Sequence, residues 1–494
     1  MINYLNNNKS KFLFFILATY AYSTSFLAGI SFDELFVITR GEERLKYLYS
    51  FGGSKITFDH NQFFPGLFDT LAVFFTQLFP KQYTINSLHL VNTTFSILTL
   101  VGSYKLAKLT FNQLVATILI LLVYFNPIFF GHMAINSKDT IITFSFVWLL
   151  ITFLKYLKNQ NHKQKRRKLL IYACLFLSLG IGTRIQFFGL LLFFIPFLII
   201  DNKIKDINFS YKTFLKDLLI ILSVSYFFMI SAWPHVHLNI FTEPFKFLLE
   251  SLELKNGPPT FVFNGEVLNP SKVPYNYYLS NLLYRSPEYV IYLYIIFIFT
   301  LITDYKFYKK NFNDFSLIIL LSSIITIFPT LLIISTDLRV FDGIRYFLFI
   351  LPFYLIIPSV TIYYLLKNIK KRIIQFNLMV IIVLMSLYIT VFIKINPYQY
   401  SYINFFLLNE KALKNKFEND YWGISLKEIV GKINNDDKIK FSEKKNVGLC
   451  GFYHPNFLIE LSKYPNININ PVGLYGNQKL DYVITNNRSH YYKI

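Results

Sequence analysis

The chain has few charged residues and almost no cysteine. Only 16% of its 494 residues are charged, too few for soluble domains of this total length. Its two cysteines, Cys174 and Cys450, lie far apart and exclude a disulfide scaffold. With 19 glycines and 18 prolines, collagen-like and low-complexity classes are excluded as well. The rest is rich in apolar (54%) and aromatic (19%) residues, which indicates a polytopic membrane protein.

Acidic residues are also scarce, with 28 Asp and Glu against 49 Lys and Arg. In a soluble protein the resulting net charge of +21 would indicate a nucleic-acid partner. Here the chain is rich in Lys, Asn, Ile, Phe and Tyr, so a bias in residue usage accounts for part of the excess. We therefore predict no nucleic-acid partner.

Apolar segments long enough to cross a hydrocarbon core of ~30 Å at ~1.5 Å per residue recur along the first 393 residues. The first has no small-residue cleavage site, so we expect it to be retained rather than removed as a signal peptide. Eleven spans are predicted, at 12–30, 86–104, 114–131, 139–154, 169–183, 185–200, 217–234, 288–303, 315–334, 346–366 and 373–393.

The basic residues between these spans predict the orientation, because Lys and Arg are retained on the cytoplasmic side. With a cytoplasmic N-terminus, the inner segments carry 22 Lys and Arg in 67 residues and the outer segments 13 in 127. The loops 31–85 and 235–287 and the tail 394–494 would then be extracytoplasmic. A bacterial inner membrane is the expected location.

Residues 63–80 are apolar enough to form a further span. Asp69 in the middle and prolines at both ends favour a helix in the outer interface instead. The tail is polar, and its alternating segments around a helical stretch predict a small α/β domain. The expected division is therefore a membrane domain over 1–393 and an α/β domain over 394–494.

Ionisable residues at the outer ends of spans are the candidates for chemistry, because burying a charge near lipid is costly and such charges are usually functional. Asp33 and Glu34 could equally be a solvated helix start, and Lys138 and Asp139 a helix-entry charge pair. Arg184 lies on a hairpin too short to reach far into water and needs a carboxylate or phosphate partner. The candidate residues are Asp33, Glu34, Asp59, His60, Lys138, Asp139, Arg184, Arg339 and Arg345, with Asp337 and Asp342 beside the last two.

The histidines give little support for a metal site. His-x-His at 235–237 is the one ligand-like spacing among His60, His132, His235 and His237. No metal ligand and no cofactor are predicted, and a divalent metal remains an unsupported possibility.

Together the candidates would suit sugar transfer from a lipid-phosphate carrier. An acceptor hydroxyl needs a carboxylate to take its proton as it attacks the anomeric carbon. The leaving lipid phosphate gains charge and is stabilised by a fixed arginine. A single displacement of this kind inverts the anomeric centre.

Several short motifs resemble the GT-C glycosyltransferases of the protein O-mannosyltransferase type, which include bacterial relatives using polyprenyl-phosphate sugars. Their order and topology carry the resemblance across most of the chain. The matching segments are Asp33-Glu34 after the first span, the loop 59–65, Asp139, Arg184 in its glycine-rich hairpin, Trp233-Pro234, 263–265, 274–278, 342–346 and Asp420-Tyr421-Trp422-Gly423.

The resemblance implies that Asp33 is the catalytic base with Glu34 adjacent, that Asp139 supports it, and that a basic residue near Arg184 contacts phosphate. Two departures bear on the substrate. The family often has two prolines directly after this histidine, His-Pro-Pro. Here the loop has a single proline after His60, and it is Pro65. The 53 residues of loop 235–287 are too few for the β-trefoil that eukaryotic members carry there, so a protein acceptor is in doubt.

The leading hypothesis is an integral-membrane, inverting hexosyl- or pentosyltransferase of the cell envelope. Its expected partners are a polyprenyl-phosphate-linked sugar and a lipid, glycan or protein acceptor. A transporter or flippase of lipid-linked glycans is the alternative, and it predicts broken helices and charge near mid-membrane. A non-catalytic assembly subunit is the third hypothesis, and it would tolerate loss of Asp33 and Asp139.

Overall fold

The computed structural model is an α-helical membrane protein with a small mixed region at its C-terminal end. It describes residues 7–56, 63–195, 209–253, 258, 260–336, 339–405, 416–436, 445–450, 459, 463–464, 467–471 and 480–485. Asp59, His60 and Asp337 lie outside these ranges. The predicted α-helical polytopic class is confirmed.

Seventeen helices precede the tail in the described ranges. They are α1 (Asn7–Leu27), α2 (Phe32–Tyr49), α3 (Leu67–Thr76), α4 (Thr84–Thr110), α5 (Gln113–Tyr124), α6 (Pro127–His132), α7 (Asp139–Asn159), α8 (Lys163–Thr183), α9 (Tyr211–Ser231), α10 (Glu243–Glu253), α11 (Tyr277–Tyr284), α12 (Glu288–Thr303), α13 (Tyr305–Asn311), α14 (Phe315–Ser335), α15 (Leu351–Tyr354), α16 (Ile356–Lys367) and α17 (Arg372–Lys394). Short 3₁₀ helices cover Ile185–Phe193 and Arg345–Ile350, and two strands, β1 (Phe261–Phe263) and β2 (Glu266–Leu268), form an antiparallel hairpin.

By length and composition, five helices in the described ranges could cross a membrane, or seven if two bent pairs each count as one span. One bent pair is α1 and α2, which meet at 89°. Most of the eleven predicted spans have a helix at their position, but several are broken or carry polar residues. The span count of eleven therefore stays a prediction.

The helix that positions the candidate residues is α7, whose apolar window is 78% buried inside the protein. It packs against α4 and α8, and its 21 residues are about 31 Å long, enough to cross the hydrocarbon core. At its C-terminal end Asp217 of α9 accepts a hydrogen bond from Tyr156 (2.7 Å) and lies 3.5 Å from Arg166 of α8. The candidate residues Lys138, Asp139 and Arg184 lie at the other end.

The loop predicted at 31–85 holds two helices. α2 begins after Ser31 with Asp33 and Glu34 in its first turn, where acidic residues are favoured because they interact with the helix dipole. α3 has ten residues and spans about 15 Å, half of the hydrocarbon thickness. This length suits the predicted interfacial helix rather than a crossing.

The tail contains α18 (Leu426–Asn434) and the strands β3 (Lys445–Cys450), β4 (Ile467–Pro471) and β5 (Tyr482–Thr485). The strands form a parallel sheet in the order β4-β3-β5. Leu426 and Val430 of α18 pack against Val447, Leu449 and Ile484 of the sheet. The described part of the tail thus contains a helix and a parallel sheet, but residues 416–425 pack against the membrane helices. A separate α/β domain over 394–494 stays a prediction.

Candidate active site

Four parts of the chain meet at the N-terminal end of α7. They are the start of α2, the loop before α7, the end of α8 and the turn before Arg345. The ion pairs between them bring together Asp33, Lys138, Asp139, Arg184 and Arg345 of the predicted set. Residues separated by more than 300 positions in sequence therefore share one end of the helical bundle.

Asp33 is the accessible carboxylate of this cluster. Its Oδ2 lies 3.3 Å from Nη1 of Arg345 and 3.6 Å from Nζ of Lys138. The Asp33 side chain is 32% exposed, against 4% for Asp139. Burial by itself would raise the pKa of Asp33, but the surrounding cations outweigh it and hold the pKa below its usual range. Asp33 is thus an ionised carboxylate that a solvent-borne group can reach.

Glu34 points away from solvent and holds the start of α2. Its Oε2 accepts a 2.7 Å hydrogen bond from the Ser31 N–H, and its Oε1 lies 2.8 Å from Nε2 of His89. The Glu34 side chain is 1% exposed. Its neighbour Ser31 also donates its hydroxyl to the Ile135 carbonyl at 3.3 Å. These contacts tie the turn carrying Asp33 to α4 and to the loop before α7.

Asp139 and Arg184 form the second ion pair. Asp139 Oδ1 lies 3.2 Å from Nη2 of Arg184, and its Oδ2 accepts a hydrogen bond from the Asn136 amide at 3.1 Å. The Asn136 side-chain oxygen accepts the backbone N–H of Lys138 and of Asp139, which fixes the start of α7. Arg184 also lies over the ring of Tyr346, 5.4 Å from its centre. The carboxylate partner that Arg184 requires is therefore Asp139.

Arg345 is held on several sides. Its Nη2 lies 3.0 Å from Asp342 Oδ2 and donates to the Tyr346 hydroxyl at 2.9 Å. The guanidinium also lies over the Trp422 ring, 5.0 Å from its centre. Asp342 has a φ of +61°, an uncommon backbone conformation that turns the chain back towards Arg345. These contacts orient the guanidinium before any substrate binds.

Three buried residues next to the cluster, Arg40, Arg44 and Asp69, were not among the candidate site residues. Asp69 Oδ2 lies 3.1 Å from Nε of Arg40 and 3.6 Å from Nη1 of Arg44. Arg40 and Lys138 both lie over the ring of Phe64, each 5.1 Å from its centre. Arg40 and Arg44 are four residues apart and share a helix face, which with the acidic Asp69 of the next segment was the available signal. Asp69 therefore balances cations beside the site.

Arg339 and the histidines complete the candidates that the structure describes. Arg339 is half-buried, and its Nε has no hydrogen-bond partner among the described residues. Among the histidines, His132 bonds the Tyr421 hydroxyl (2.9 Å) and His237 the Tyr47 hydroxyl (2.9 Å). No three His, Cys, Asp or Glu side chains in the described ranges are grouped as for a metal ion.

The sequence matches the profile of one family, described as "Dolichyl-phosphate-mannose-protein mannosyltransferase", over residues 65–230, about a third of the chain. A comparison with curated proteins finds no match. Among solved structures, ArnT from Cupriavidus metallidurans bound to undecaprenyl phosphate aligns with a TM-score of 0.54 and 10% identity, covering 91% of this chain and 84% of that one. The apo form aligns at 0.50 and 12% identity, over 72% and 60% of the two chains.

The Archaeoglobus fulgidus oligosaccharyltransferase in its apo form aligns at 0.52 with 12% identity, over 91% of this chain and 64% of that one. The fold is that of the GT-C glycosyltransferases. This chain covers less than two thirds of the length of the archaeal enzyme and of the apo ArnT chain. The resemblance to GT-C glycosyltransferases predicted from the sequence is confirmed.

Proposed function

We propose that the chain is an integral-membrane, inverting glycosyltransferase that moves one hexose or pentose from a polyprenyl-phosphate carrier to an acceptor on the extracytoplasmic face. One observation carries the proposal: Asp33, a partly exposed carboxylate, lies between two fixed cations at one end of the bundle. The ArnT structure with bound undecaprenyl phosphate supports a lipid-phosphate donor for this fold.

In the proposed reaction, the Asp33 carboxylate accepts the proton of an acceptor hydroxyl as that oxygen attacks the anomeric carbon. The bond from the anomeric carbon to the phosphate oxygen breaks, and its electron pair stays on the phosphate. Arg345, Lys138 and Arg184 neutralise the charge that the phosphate gains. Attack opposite the leaving group inverts the sugar.

Donor binding and base activation are coupled in this proposal. Without substrate, Arg345 and Lys138 pair with Asp33. A phosphate that takes over their positive charge weakens both pairs, which frees Asp33 for the acceptor and lets its pKa rise towards the value a base needs. Asp139 then acts by orienting Arg184, and Glu34 by fixing the turn that carries Asp33.

Asp59, His60 and Arg339 stay predicted substrate-binding residues. The transporter alternative gains no specific support, because the mutually paired candidates lie at one end of α7 rather than along its middle.

Asp33→Asn removes the proposed base and keeps the size of the side chain. Loss of the base should lower sugar transfer by about 10²- to 10⁴-fold, since proton transfer typically contributes that much. The measurement uses membranes carrying the chain, supplied with radiolabelled polyprenyl-phosphate sugars. Binding of undecaprenyl phosphate should persist, because the cations remain. Asp217→Asn, a buried carboxyl at the far end of the bundle, is the matched control. Wild-type turnover of an inserted Asp33→Asn protein would contradict the proposal.

A further inference from the structure

We infer that Trp422, which lies beyond the last predicted span, is a positioning residue for the Asp33–Arg345 pair. The inference rests on the proposed function. Trp422 has contacts on both sides of the pair. Its carbonyl accepts the backbone N–H of Phe32 at 3.2 Å, next to Asp33, and its ring lies 5.0 Å from the Arg345 guanidinium carbon.

The indole N–H gives Trp422 a third contact. It donates to Asp342 Oδ2 at 3.3 Å, the same oxygen that lies 3.0 Å from Arg345. The Trp422 residue is 2% exposed, so this contact is shielded from water. The Trp422 side chain therefore contacts both Arg345 and its partner carboxylate Asp342. The Trp422 backbone holds the first turn of α2. A shift of Trp422 would change the relative position of Asp33 and Arg345.

The turn that carries Trp422 is itself fixed. The Asp420 carboxylate accepts the backbone N–H groups of Gly423 (2.8 Å), Ile424 (3.2 Å) and Ser425 (2.8 Å) and the hydroxyl of Tyr400. Gly423 has a φ of +74°, which an L side chain rarely adopts. Asp420 thus locks the turn, and Gly423 lets the chain leave it towards α18.

The turn also presses against the bend between α1 and α2. A Cβ on Gly29 would lie 2.3 Å from the Ile424 carbonyl oxygen, so glycine is required for this approach. Lys427 donates to the carbonyls of Phe26 (2.7 Å) and Ala28 (3.2 Å) at the end of α1. The segment from Asp420 to Lys427 therefore determines where α2 begins, and Asp33 is the second residue of α2.

Positioning on this scale has a kinetic consequence. A misplacement of about 1 Å can cost about 10²-fold in rate, because a general base must stay within hydrogen-bond reach of its proton. A Trp422 that only filled space would affect stability alone. A positioning Trp422 also alters the environment of Asp33, whose carboxyl is kept ionised by Arg345 among others.

The test compares Trp422→Phe and Trp422→Leu with Trp233→Phe in the full-length protein. Trp233 is the matched control, since it is also a fully buried tryptophan and packs against Phe247 of α10. Trp422→Phe should lower kcat about 10-fold with the donor KM within about 3-fold of wild type, and Trp422→Leu should lower kcat further. Both should move the acid limb of the kcat/KM profile, which reports the free enzyme, up towards about pH 4, where an unperturbed Asp titrates.

Either of two results would overturn the inference. One is wild-type kcat in both Trp422 variants. The other is a loss equal to that of Trp233→Phe with no change in the pH profile, which would mark a purely structural role. Failure of the proposed function is distinguishable, because it would appear as wild-type turnover in Asp33→Asn. An inactive Asp33→Asn beside fully active Trp422 variants would contradict the positioning role alone.

Discussion

Lys138 is a cation of the site whose positive charge is lost within the experimentally accessible pH range. Burial lowers its pKa to about 8, with Asp33 acting in the opposite direction and Arg40 and Arg184 reinforcing the effect of burial. Its positive charge is therefore present below about pH 8 and is lost as the pH rises through that value. An arginine at the same position would stay charged throughout this range.

We expect kcat/KM for the donor to fall above about pH 8 in the wild type, as Lys138 of the free enzyme loses the charge that the phosphate needs. Lys138→Arg should move that alkaline limb upwards by at least one pH unit, even if its kcat is lower. The pH dependence of kcat/KM in both proteins, which reports the free enzyme, is the measurement, with Lys155→Arg near the opposite end of α7 as control. An unchanged limb in Lys138→Arg would assign it to another group.

At this scale the sequence identified the charged groups of the cluster but not which of them pair. Asp33, Lys138, Asp139, Arg184 and Arg345 were identified because a charge at a span end needs a partner. Their mutual pairing depends on how four distant segments pack, which no local pattern contains. The same limit applies to Glu34, which was predicted beside the base and lies buried at a helix start.

The close packing of α2 against α3 is the feature of the fold that the sequence did not predict. Two glycines allow the close contact: a Cβ on Gly41 would lie 2.4 Å from Val73, and one on Gly66 would lie 2.1 Å from Cζ of Arg44. The start of α2 was readable from Ser31 and the acidic first turn. Its length was not, because its apolar and charged residues form no clear lipid-facing stripe.

Gly66→Ala should destabilise the protein more than Gly265→Ala does. Both glycines have a positive φ, +74° and +87°, so alanine costs roughly 1–2 kcal/mol at either position. A Cβ on Gly265 meets no atom within 4 Å, whereas one on Gly66 must displace Arg44 from Asp69 and from the Phe64 carbonyl. Thermal unfolding of the purified variants measures the difference. Equal shifts in Tm would mean that Arg44 moves without cost.

The whole molecule is organised about the two ends of α7 and α8. Apolar composition predicted a helical bundle correctly, because lipid requires internally hydrogen-bonded helices. It could not give the span count, since a helix broken by a sharp bend, such as α1 with α2, has the same composition as one straight crossing. Which side of the membrane the candidate active site faces stays a prediction, and it rests on the distribution of Lys and Arg.

Cysteine labelling would test sidedness in a variant whose native Cys174 and Cys450 are replaced by serine. Phe51, which is fully exposed after α2, and Lys163 at the start of α8 serve as single reporters. We expect an impermeant maleimide to label Phe51→Cys in right-side-out vesicles and Lys163→Cys in inverted ones, because the 21-residue α8 separates the ends by about 31 Å. The reversed pattern would put Asp33 in the cytosol, and labelling of both from one side would show that α8 does not cross.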